Sequence, residues 1–156
     1  MQTLDGRLII YEHDFFTLDP SLLDERIDCV FDRGSLVAIL PEERKRYGET
    51  MERFLTKNKN NFRYLLLTYE YDSNIFSGPP RAVPCGEINT MFGMQFVKNL
   101  IKFVTRLLFY NLVFPEGFAN IEQLARIDES KIGKERFNLD KLIRFIHLLT
   151  RRDLEK

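Results

Sequence analysis

Residues 64–71, Tyr-Leu-Leu-Leu-Thr-Tyr-Glu-Tyr, constrain this chain more than any other stretch. The run is apolar and aromatic, and long enough to cross the centre of a sheet as a strand buried among its neighbours. Polar residues Lys57-Asn58-Lys59-Asn60-Asn61 precede it, and a loop rich in Gly and Pro, residues 72–84, follows. A central strand needs a core on each side. With 156 residues, 44% hydrophobic content and 14 Phe, the chain can supply one for a single domain, which excludes global disorder.

The remaining pattern is that of an α/β domain. Leu8–Tyr11 and Ile27–Phe31 are short apolar runs of the kind buried strands show. Pro41 suits the first position of a helix, with Glu42 and Glu43 in its acidic first turn. Tyr47, Met51, Phe54 and Leu55 then recur on one helical face. Glu87–Phe92 reads as a short helix closed by Gly93. Ile121–Ile127 and Leu142–Leu149 suggest two antiparallel strands. Strands alternating with helices predict a mostly parallel sheet, and ligands of such sheets bind beyond the carboxyl ends of the strands. Asp14 and the Asp32-Arg33-Gly34 triplet both follow apolar runs, so both are expected on that rim. Gly34 permits a tight backbone there, and Arg33 offers a fixed fork of donors to a carboxylate.

Several function classes lose support at this stage. Lys and Arg number 23 and Asp and Glu also 23, a balance that argues against nucleic acid as the main partner. Two Cys in no CxxC pair and two His make no metal-ligand set, and reduced thiols in a cytoplasmic protein are expected. The first ten residues do not read as a signal peptide. The sequence contains no G-x-G-x-x-G, no Walker-type loop and no nucleophile elbow. It reads like the later part of a nucleotide-binding α/β domain whose first strands are absent.

Taken alone, several residues have ordinary structural readings. Asp32 and Arg33 suit a surface ion pair capping a loop. Asp14 suits a turn or helix cap. Phe15 and Phe16 suit the core, and His13 an exposed loop. Cys29 reads as a small buried hydrophobe, and Glu87 as a first-turn helix charge. Arg44, Lys45 and Arg46 read as a solvated helix face.

The stretches "IIYEHDFFTL", "DCVFDRGSLVAILPEERKRYGETM", "YLLLTYEYD", "GPPRAVPCGEI", "MFG" and "LDKLIRFIHLLT", in this order, resemble the thiopurine S-methyltransferase family. The resemblance implies a class I methyltransferase fold, Rossmann-like, with a seven-stranded sheet whose last strand is antiparallel. It implies S-adenosyl-L-methionine as cofactor and a small-molecule thiol, or a similar soft nucleophile, as acceptor. It places Asp14 and Phe15 at the cofactor's adenine. Arg33 is placed over the cofactor and substrate end, as both the catalytic and a binding residue, and Pro79 and Pro80 are placed at the mouth of the substrate site. Methyl transfer to sulfur needs positioning and desolvation more than acid–base groups, so the lack of a catalytic triad is no objection.

The chain matches roughly the last half of the family's length. The strand with its glycine turn is expected to be missing, leaving one partial domain over residues 1–156 that is weak or inactive alone. Residues 94–116 have no counterpart in the resemblance; removing them restores the family spacing, as a translated intron would. Within them Val97, Leu100, Ile101, Val104, Leu107 and Leu108 form an apolar stripe beside Lys98, Lys102 and Arg106. That stripe supports an alternative function, a non-catalytic module contacting a partner or membrane surface. The resemblance otherwise implies a monomer with no nucleic-acid or membrane partner. Where the family carries an arginine near the substrate pocket, this chain has Gly133, with Arg136 nearby.

Overall fold

The computed structural model describes residues 7–23, 27–56, 62–92 and 119–151. They form a four-stranded sheet with helices between the strands. The strands are β1 (Cys29–Asp32), β2 (Arg63–Glu70), β3 (Ala119–Asp128) and β4 (Ile143–Arg151). The helices are α1 (Ser35–Ala38), α2 (Arg44–Thr56), α3 (Cys85–Met91) and α4 (Ser130–Phe137). The order across the sheet is β1-β2-β4-β3. The apolar run that opened the sequence reading is thus a central strand, β2, flanked by β1 and β4.

β1 runs parallel to β2, whereas β4 is antiparallel to both β2 and β3. The expected antiparallel pair is present, and it makes the described sheet less parallel than the alternating pattern suggested. The β3–β4 register shifts between Gln123 and Ala125, which leaves Leu124 at a bulge and half-exposed. The carboxyl ends of β1 and β2 and the amino end of β4 share one rim.

Sequence and burial agree closely in α2. A 3-10 turn over Pro41–Glu43 leads into it, with Pro at the start and two acids in the first turn. Tyr47, Met51, Phe54 and Leu55 are all buried. Tyr47, Met51 and Leu55 pack with Tyr64 and Leu66 of β2, Leu36 and Val37 of α1, and Ile88 and Phe92 around α3. α3 starts two residues earlier than expected, at Cys85; Gly93 and residues 94–116 lie outside the described residues.

Two expectations for strands fail. Among the described residues Leu8–Tyr11 forms only a single bridge, at Ile9, and no strand of the four-stranded sheet, and all four side chains are exposed. Ile27–Phe31 is displaced: the ladder runs from Cys29 to Asp32, so the strand's alternation is set by Asp32. Asp32 points into the core at 3% exposure while Phe31 points out at 64%, and Cys29 on the Phe31 side is exposed rather than buried. Period-two geometry forces this choice. Once one residue of a strand faces the core, its immediate neighbours cannot.

His147 of β4 is buried within the same core, hydrogen-bonded through Nε2 to the hydroxyl of Thr68 on β2 at 3.1 Å. Burial lowers its pKa below the ordinary histidine value, so the folded ring stays neutral where the unfolded one takes up a proton. The unfolded state then binds more protons below pH about 6.5, and stability falls as pH drops through that value. Thermal melts between pH 7 and 5 are expected to show a decline that His147→Gln reduces; an unchanged pH dependence in that variant would remove His147 as its source.

Candidate functional site

The Asp32-Arg33-Gly34 turn sits at the carboxyl end of β1, and its geometry follows from the inward Asp32. That carboxylate accepts three hydrogen bonds: from the Tyr47 hydroxyl of α2 at 2.5 Å, the Tyr64 hydroxyl of β2 at 2.9 Å, and the backbone N–H of Ser35 at 2.9 Å. The last bond caps the first residue of α1. Burial, together with the Asp32 charge, raises the pKa of Tyr47 and of Tyr64 well above the ordinary tyrosine value, so both remain neutral donors. Asp32 has no cationic partner among the described residues. The surface ion pair that Asp32-Arg33 suggested is therefore absent: one side chain is buried and the other is exposed. The Arg33 guanidinium forms no hydrogen bond or ion pair with another described residue.

Asp14 lies in an exposed turn. Its Oδ1 accepts the Phe16 N–H at 2.9 Å and its carbonyl oxygen accepts the Thr17 and Leu18 amides, the turn role expected of aspartate here. Oδ2 accepts nothing from the described residues. His13 is exposed beside it. Phe15 and Phe16 are both half-buried. The Phe15 ring lies 5.2 Å from Tyr47 and 5.7 Å from Phe54, centre to centre. Phe16 carries the Arg46 guanidinium 4.4 Å over its ring. Tyr47 thus touches the Asp14-Phe15 turn with its ring and the Asp32-Arg33 turn with its hydroxyl.

The third predicted segment joins the same rim. Gly78 has φ +85°, and a Cβ there would lie 2.6–2.8 Å from atoms of Arg81, so only glycine fits. The two following peptide bonds, to Pro79 and Pro80, are cis. Arg81 fastens the loop onto α1: its N–H donates to Val37 O at 2.7 Å and its Nη1 to Ala38 O at 2.7 Å. Tyr71, just past β2, donates its hydroxyl to Pro80 O at 2.5 Å. A shallow recess of about 250 Å³ adjoins Tyr71, lined also by Glu70, Asp72, Ile75 and residues 139–141; none of the five predicted site residues lines it.

Two features escaped the sequence reading. Arg44 is buried, not solvated. Its Nη1 pairs with Glu87 Oε2 at 2.6 Å and its Nη2 donates to Ala82 O at 2.8 Å, clamping α2 to α3 and to the loop from Pro79. Lys45, beside it, is exposed as expected. The second feature is Gly133, buried in α4 where a Cβ would lie 2.7 Å from Leu142 Cβ. No side chain fits at 133 without displacement of β4's lead-in, so the arginine implied at that position has no room there; Arg136 is exposed on the same helix. Gly133→Ala is expected to destabilise by about 1–3 kcal/mol through overpacking, read as a shift in denaturant midpoint. A neutral Gly133→Ala would contradict this account.

Among the described residues no group of His, Cys, Asp and Glu is placed to hold a metal ion, and no helix is long and apolar enough to cross a membrane. A family model described as thiopurine S-methyltransferase matches residues 2–107, and so runs into the 94–116 segment. The chain is 29% identical to a thiopurine S-methyltransferase of Bos taurus over 145 residues, covering 93% of this chain and 48% of the relative. A thiopurine S-methyltransferase of Felis catus gives the same figures, 29%, 93% and 48%. One from Aliivibrio salmonicida is 37% identical over 101 residues, covering 62% of this chain and 46% of the relative. The chain spans about half the length of the curated relatives it matches.

Proposed function

The chain belongs to the thiopurine S-methyltransferase family, and from that premise we propose that it carries the carboxyl-terminal part of a site for S-adenosyl-L-methionine and a thiol acceptor. The observation that carries the reading is convergence. Three segments far apart in sequence, Asp14-Phe15, Asp32-Arg33 and Gly78-Pro79-Pro80, are tied to one sheet rim by Tyr47, α1 and Arg81.

The residues present fit such a cofactor by their chemistry. Asp14 retains a carboxylate oxygen for an amine donor, Phe15 and Phe16 offer aromatic surface to a heterocycle, and Arg33 has a guanidinium not engaged by the described residues. When bound, the cofactor supplies an electrophilic methyl group. The residues of this chain have the remaining tasks. Asp14 and Phe15 orient the nucleoside end. Arg33 neutralises and positions negative charge at the reacting end, including that of a thiolate acceptor. The Pro79-Pro80 loop, held at Pro80 by Tyr71 and at Arg81 by α1, shapes the mouth and limits water there. No described residue needs to move a proton for this chemistry.

Transfer of a labelled methyl group from S-adenosylmethionine to the sulfur of a thiopurine tests the proposal. Transfer that falls at least tenfold in Arg33→Ala is the expected outcome, at whatever absolute rate this chain sustains. Transfer that is indifferent to Arg33, or label that accumulates only on non-sulfur acceptors, would refute it.

A further inference from the structure

Asp32 presents a problem that the proposed chemistry does not use. It is a carboxylate at 3% exposure, held only by neutral donors. Stability alone does not call for it. Burying a charge is costly even when it is well hydrogen-bonded, and an apolar side chain of similar size commonly serves a core at least as well. What Asp32 does that an apolar residue cannot is join four elements at one point. It belongs to β1, caps α1 through Ser35, and holds the hydroxyls of Tyr47 on α2 and Tyr64 on β2. The next residue in the chain is Arg33.

We propose that Asp32, Tyr47 and Tyr64 form a positioning unit that fixes the backbone turn from which Arg33 projects, and that they contribute to ligand recognition only through Arg33. This deepens the function proposed above and rests on it. The geometry has a directional logic. Arg33 follows Asp32 directly, in the bend between β1 and α1, so the inward hydrogen bonds of Asp32 fix the backbone from which the exposed Arg33 departs. The three bonds come from different elements, so rotation of the turn breaks at least one of them. Tyr47 has a second contact, its ring against Phe15, and can therefore keep the Asp14-Phe15 turn in register with the Arg33 turn. A rigid origin reduces the freedom a long arginine side chain gives up when it engages a ligand.

The experiment uses the 156-residue chain and two nearly isosteric changes. Tyr47→Phe removes one hydroxyl and keeps the ring packing. Asp32→Asn keeps the shape but sets an amide donor against one of three donors. Amide hydrogen exchange is the first readout. The Ser35 amide, bonded to Asp32, is expected to exchange at least tenfold faster in either variant, while β2 and β4 amides such as those of Leu66 and Leu148 keep their rates. Exchange that rises everywhere together, or nowhere, would overturn the proposal in favour of a general packing role.

The second readout is the dissociation constant for S-adenosylhomocysteine in the four chains of a Tyr47→Phe and Arg33→Ala cycle. Tyr47→Phe is expected to weaken binding about tenfold when Arg33 is present and not at all when it is absent. Equal losses in both backgrounds would show that Tyr47 does not act through Arg33. If the unaltered folded chain binds no S-adenosylhomocysteine, the function proposed above fails, and the exchange measurement alone decides the positioning unit.

Discussion

Glu87→Ala is expected to lower the stability of this chain by about 1–3 kcal/mol, the usual penalty for leaving a buried polar group without its partner. The size follows from what is left behind. Arg44 keeps 4% side-chain exposure, so its guanidinium cannot turn to water. Its Nε already lacks a partner, and without Glu87 only the Ala82 carbonyl would remain to accept from it. Glu87→Gln is expected to cost less, because an acceptor stays in place. The double change Arg44→Met with Glu87→Ala is expected to recover most of the loss, because the stranded charge is removed with its partner. Chemical denaturation of the four chains measures the coupling. Simple additivity of the two single changes would mean that the clamp between α2 and α3 is not an energetic unit.

Arg33→Ala is expected to act in the opposite manner, with little effect on stability and a large one on ligand binding. The side chain is exposed and unengaged among the described residues, so folding gains little from it. A charge-assisted contact to a ligand is worth roughly 1.5–3 kcal/mol, which corresponds to an affinity loss of about 10- to 100-fold when it is removed. Arg33→Lys is expected to recover only part of it, because an ammonium lacks the planar fork.

The two changes separate what the sequence displays from what it conceals. The periodicity of Tyr47, Met51, Phe54 and Leu55 and the apolar run of β2 were legible, because burial of a regular element imposes a spacing that survives in one dimension. The β3–β4 pair was legible for the same reason. Leu8–Tyr11 was misread. Apolar composition shows that a segment can be buried, but not that the described structure provides a surface for it. The facing of β1 mattered more. With Asp32 turned to the core, alternation puts Phe31 outward and leaves Cys29 on that same outer side, the reverse of what their apolar character suggested.

The candidate site was partly legible. Arg33, Pro79 and Pro80 could be named from the resemblance, and the α/β pattern placed the Asp32-Arg33-Gly34 turn beyond a strand end. What could not be read was the partnership of each polar group. Arg44 lies between exposed-looking charges, and its acceptor Glu87 is 43 residues away. Asp32 finds its donors 15 and 32 residues away. Neither distance leaves a local pattern. The only hint in the sequence was negative: Arg44 falls three positions before Tyr47, on the stripe that faces inward, and a charge on an inward stripe needs a partner.

The most direct test of the proposed site is calorimetric titration of the folded 156-residue chain with S-adenosylhomocysteine, run beside Arg33→Ala with both chains' stabilities matched by thermal melts. Saturable binding that weakens at least tenfold in the variant is the predicted result, and it would place cofactor recognition on the rim built around Asp32, Tyr47 and the Pro79-Pro80 loop. No binding by the folded chain, or binding that Arg33→Ala leaves unchanged, would contradict the account.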